Sequence, residues 1–157
     1  MHQRTRLNLL LLTVAALLAL LVWWLQPAPW QPLTPLQAEQ IHSIRLLGDG
    51  RDIHLQRHHG AWRLGQTPAN AARVRQLLGI AQTPSLQRFP APPEGLQAFG
   101  LQPPQCRLWL NDLELAFGGN DPVNGWRYVM LGAQIHLIGD GFQHHLSAPP
   151  SAFLEHP

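Results

Sequence analysis

CRLWLNDLELAFGGNDPVNGWRYVMLGAQIHLI, residues 106–138, is the stretch on which the fold turns. Cys106, Leu108 and Leu110 alternate with Arg107 and Trp109, the period of a strand with one face buried. Asn111-Asp112 supplies a compact turn into a second apolar run, LELAFG. WRYVML and QIHLI repeat the pattern around Gly132-Ala133. Two hairpins therefore lie side by side, joined by Gly118-Gly119-Asn120-Asp121-Pro122-Val123-Asn124-Gly125.

Outward from this stretch the same grammar recurs. IHSIRLL and DIHLQRH flank a Gly-Asp-Gly turn, and His59-Gly60 leads into AWRL as a third short strand. TPANAARVRQLLGIAQT reads as an amphipathic helix, with Thr67 as N-cap, Pro68 in its first turn, and Ala71, Val74, Leu77 and Leu78 on one face. SLQRF is a further short strand, and Glu94 to Phe99 a single helical turn ended by Gly100. Asp140 to Phe153 makes one or two short turns. The expected domain, residues 41–157, is α+β: antiparallel hairpins packed on one main helix.

Ahead of it, LNLLLLTVAALLALLVWWL, residues 7–25, is uncharged, and at about 1.5 Å per residue it spans roughly 28 Å. Arg4 and Arg6 precede it and no basic residue follows until Arg45, which predicts a single transmembrane helix with residues 1–6 in the cytoplasm. Trp23, Trp24 and Trp30 take the place of a membrane-interface aromatic belt. A cleavable signal peptide needs small residues at its exit, whereas WWLQPAPW is bulky and proline-rich, so the segment reads as an uncleaved signal anchor. The expected location is the bacterial inner membrane, with the C-terminal domain periplasmic. Residues 26–40 carry Pro27, Pro29, Pro32 and Pro35, which suit either a semi-rigid spacer reaching up to about 40 Å or a strap lying on the domain.

The order of the pieces carries a resemblance. Ile41, Ile44 and Leu46 open the domain; GAWRL, ANAARVRQLL, FGLQPP, LELAFGG and WRYVMLGAQIHLI follow. This resembles the bacterial family called domain of unknown function 4340, over nearly everything after Gln40. The resemblance implies a membrane-anchored or exported protein, in some members an auxiliary of ABC-type transport systems linked to gliding motility. It carries no catalytic residues to transfer.

The chemistry is thin by comparison. All eleven basic residues are Arg, and the nine acidic residues balance the nine Arg that follow residue 6. The sequence pI near 9.5 therefore belongs to the N-terminus rather than to a nucleic-acid face. Without lysine the Gly118–Gly125 stretch cannot be a phosphate loop, and with Asp121 as its one carboxylate it is poor for calcium. It reads as a loop, with Asn120, Asp121 and Asn124 as candidate partner contacts.

His58-His59 and His144-His145 are adjacent pairs, joined by His42, His54 and His136. Neighbours on a strand point to opposite faces, so these read as surface histidines rather than zinc ligands. Cys106 reads as a small buried hydrophobe. No serine sits in a nucleophile elbow, and Asp49 and Asp52 flank a turn. Trp62, Trp109, Trp126, Tyr128, Phe117 and Phe142 would form a stacking platform only if exposed together. The expected function is a non-catalytic accessory protein contacting another envelope protein, without cofactor, metal or nucleic acid. The alternative is a binding module for a small glycan or peptide.

Overall fold

The computed structural model describes residues 2–25 and 31–155, and for residues 2–7 the backbone alone. It divides into two units, Met1–Trp30 and Gln31–Pro157.

The first unit is one helix, α1, His2–Trp24. Apart from Asn8 and Thr13 its described side chains are apolar, and they are exposed, Leu9 at 67% and Trp24 at 87% among them. Among the described residues no helix is long and apolar enough to cross a membrane. That finding corrects the expected transmembrane helix over 7–25. With it go the single-pass signal anchor, the cytoplasmic N-terminus, the periplasmic domain and the inner-membrane location. The helix starts at His2 and takes in Arg4 and Arg6 instead of following them. Trp23 is also exposed on this helix; Trp30 and the first prolines of the expected linker, Pro27 and Pro29, lie outside the described residues.

The second unit is α+β. Its nine-stranded antiparallel sheet runs β5-β4-β3-β2-β8-β9-β10-β11-β7. The strands are β2 (Ser43–Gly48), β3 (Arg51–His58), β4 (Ala61–Leu64), β5 (Thr67–Pro68), β7 (Gln87–Pro90), β8 (Cys106–Leu110), β9 (Leu113–Asn120), β10 (Arg127–Leu131) and β11 (Gln134–Ile138). Every pairing except those of β2 with β8 and β11 with β7 joins strands consecutive along the chain, so local turns build most of the sheet. Asp49-Gly50 and His59-Gly60 turn with positive φ at both positions (50° and 73°; 49° and 84°), the pattern that matches strand twist.

One face of this sheet is covered by helix α2, Ala71–Ala81, which buries Val74, Leu77, Leu78, Ile80 and Ala81. They meet Ile44, Leu46, Ile53, Leu55, Leu108, Leu110, Leu115 and Phe117 in the main core. Burying each large aliphatic side chain contributes about 2 kcal/mol before entropy is counted. The helix starts later than its sequence suggests. Asn70, not Thr67, is the cap, its Oδ1 accepting from the amides of Ala72 and Arg73 at 3.0 and 3.2 Å. Thr67 and Pro68 are spent as edge strand β5, and Ala71 is exposed.

Residues 31–36 resolve the two readings of the linker for the described part. β1 (Gln31–Pro32) pairs with β6 (Pro84–Ser85), and the Leu33 and Thr34 amides donate to the Thr83 and Ala81 carbonyls at 2.8 and 3.0 Å. Leu33 and Thr34 are 2% and 1% exposed, so the segment is a strap built into the domain. The unit accordingly begins before residue 41.

On the opposite face the sheet is divided. Over β9–β11 lies a second core of Leu101, Ala116 and Ile135, with Phe89, Leu96, Phe99, Tyr128 and Met130 around it. It is supplied by β7 and the turn Leu96–Phe99. Over β3, β2 and β8 the same face carries Asp52, His54, Arg45 and Arg107, all exposed.

Candidate functional site

The Gly-Gly-Asn-Asp stretch is part strand and part loop. Gly118 and Gly119 belong to β9, where the register against β10 slips between Arg127 and Val129. The turn before Leu101 presses on Gly118, whereas a Cβ on Gly119 would meet only the Phe99 carbonyl oxygen, at an ordinary 3.7 Å. A Cβ on Gly118 would lie 2.3 Å from the Phe99 carbonyl oxygen, and one on Gly100 2.7 Å from the Gly119 nitrogen. A backbone neighbour cannot swing aside, so the positions exclude larger residues.

The loop proper uses its polar groups on itself. Asp121 Oδ2 accepts from the Asn124 amide and Nδ2 at 2.8 and 3.1 Å, and Tyr128 Oη donates to Asp121 Oδ1 at 3.3 Å. Asn120 Nδ2 donates to the Gly125 carbonyl and to Asp140 Oδ2, at 3.0 and 2.8 Å. The three candidate contact residues thus lie together and shape the loop. What the loop presents outward is Val123, 84% exposed.

Behind the loop sits a residue that the strand pattern concealed. Arg127 is 5% exposed and reaches Asp140, with Nη1 donating to Gln105 Oε1 at 2.8 Å and to the Gly118 carbonyl at 2.7 Å. Burial alone would raise the Asp140 carboxyl, but the hydrogen bonds from Arg127 and Asn120 outweigh it and hold it below 3.8. One cation therefore ties β9, β10, the residue that precedes β8 and the segment after β11.

The histidines separate into classes. His42, His54, His58, His59 and His144 are exposed. His136 and His145 are 6% and 9% exposed, against the expectation of surface positions. His145 stacks on His144 with ring centres 3.6 Å apart, and Arg73 Nη1 lies 3.4 Å from its Nδ1. Among the described residues no three His, Cys, Asp or Glu converge as a metal site. Cys106 is buried, and that burial pushes its thiol up to about 11, away from nucleophilic use at neutral pH.

The aromatics are dispersed. Phe117 is core, Tyr128 stacks edge-on against Phe99 at 5.0 Å, and Trp62, Trp126 and Phe142 are partly buried. Trp109 is the one carried on the open half of the sheet. Arg45 lies 5.6 Å over its ring while its guanidinium grips Asp52 at 2.6 and 2.9 Å. Arg107 and Glu114 pair beside it at 3.5 Å.

No family model, curated protein or solved structure matches the chain.

Proposed function

We propose that this protein is a non-catalytic accessory module that works by contact, through the open half of its sheet around Trp109. The observation that carries this reading is the unequal treatment of one sheet face. Residues 87–101 cover its β9–β11 half, while the β3–β2–β8 half stays uncovered around a tryptophan and arginines. Cross-strand pairs, Arg45–Asp52 and Arg107–Glu114, lie across that surface. Tryptophan and arginine are the residue types that most often dominate binding energy at interfaces. The resemblance to the domain of unknown function 4340 family supports an accessory role, and the partner class it suggests is a component of an ABC-type transport assembly. The 120–125 loop contributes as a shaped rim presenting Val123, with Asn120, Asp121 and Asn124 setting its conformation.

The test places a photo-crosslinking residue at position 107, on the open half, or at position 75, on the exposed side of α2. A discrete stoichiometric adduct at 107, absent at 75 and lost with Trp109→Ser, is the expected result. Equal adducts at both positions, or an adduct indifferent to Trp109, would remove the open half as the working surface.

A further inference from the structure

His136 is buried, yet nothing in the proposed contact face uses it; it lies on the other side of the sheet. Ser85 Oγ is 2.8 Å from its Nδ1 and also 3.2 Å from the Gln87 carbonyl. A hydroxyl has one proton. The arrangement that satisfies both contacts gives the proton to the carbonyl, which can only accept; Nδ1 then donates to Oγ and Nε2 carries the lone pair. Among the described residues nothing hydrogen-bonds Nε2, and no buried side-chain nitrogen or oxygen there is without a partner. Nε2 therefore reaches open space.

His136 lines a cleft of about 390 Å³, walled also by the strap at Pro32 and Pro35, by Leu131 and Gln134, and by Arg88. Arg88 stands directly opposite His136 across the β7–β11 pairing, which places their Cβ atoms about 5 Å apart. Its Nη1 donates at 2.7 Å to Gln31 Oε1 of the strap, and both residues line the cleft. No carboxylate lines the cleft, and Arg88 belongs to none of the salt bridges among the described residues. An arginine without a salt-bridge partner among the described residues and a buried histidine, neighbours across two strands, thus line one concavity.

We infer that this cleft binds a small hydroxycarboxylate, its carboxylate on Arg88 and its hydroxyl donating to His136 Nε2. A guanidinium fork suits a carboxylate, and a bare imidazole nitrogen requires a donor. Burial, followed by the charge of Arg88, lowers the His136 pKa from 6.5 and keeps the lone pair available at neutral pH. The ligand's hydroxyl distinguishes this site from a generic anion patch, since an acid lacking it leaves Nε2 unpaired.

The experiment is a titration of the full-length chain, carrying ¹³C-labelled histidine, with D-glucuronate, L-lactate and propionate. The His136 signal is assigned by its loss in His136→Gln, and circular dichroism checks the fold of each variant. The expected result is a saturable shift of His136 with at least one hydroxy acid, at least tenfold weaker with propionate, and abolished in the exposed variant Arg88→Gln. Three outcomes overturn the inference: no saturable shift at tens of millimolar, equal response to propionate, or a response unchanged in Arg88→Gln. Crosslinking at position 107 reads the opposite face, so the two proposals fail separately.

Discussion

Arg127 and Arg45 each hold an aspartate on the same sheet, and the two pairs differ almost entirely in surroundings. The side chains of Arg127 and Asp140 are 6% and 30% exposed; those of Arg45 and Asp52 are 49% and 48%. Arg127 also satisfies a backbone carbonyl and Gln105, so losing it strands several acceptors. Arg45 spends its charge on a neighbour that water would solvate nearly as well. Similar chemistry is thus a structural joint in one place and a surface texture in the other.

The contrast is broken most severely at Arg127. Arg127→Met should cost about 3–5 kcal/mol in urea unfolding, because Asp140 loses its cationic partner and the Gly118 carbonyl its side-chain donor; a cost like that of an exposed pair would place the joint elsewhere. Gly118→Ala attacks the same region through its backbone and should cost about 2–3 kcal/mol, since its Cβ must displace the Phe99 carbonyl. Asp140→Asn keeps shape and removes charge, for about 1–2 kcal/mol.

Asp140→Asn also sharpens the comparison through pH. The Asp140 pKa is lowered on folding, so the stability it contributes is present above 3.8 and disappears as pH falls through the lower folded value. The wild type should lose stability across that window more steeply than Asp140→Asn, as measured by thermal melts. The smallest effect belongs to Arg45→Ala, whose melting temperature should be indistinguishable from wild type. A clear loss there would show that the open half is held by its charges.

The hairpins were legible because turn chemistry and alternation agree: Asp49-Gly50, His59-Gly60, Asn111-Asp112 and Gly132-Ala133 all sit between strands of period two. The helix was legible by its apolar spacing, but its start was not. Thr67-Pro68 is as good an opening as Asn70, and only pairing with β4 decides between them. Arg127 was hidden because a buried charge in WRYVML is recognisable only once Asp140 arrives from beyond β11. Ser85 and His136 are 51 residues apart, so no local pattern announces their contact. Gly118-Gly119 reads as loop because glycine pairs usually are; for Gly118 the reason is a neighbouring backbone, which a linear reading cannot display.

The strap has a consequence for the order of assembly. Synthesis delivers Leu33 and Thr34 before any strand of the main sheet, yet the hydroxyl of Thr34 bonds Ala81, 47 residues further on. The first part of the domain to emerge from the ribosome therefore waits, uncommitted, until α2 has been made and its C-terminal carbonyls are on offer. Closing the strap is a late event carried out by an early segment. A nascent chain released before Thr83 would hold β2 to β5 with Leu33 still in water.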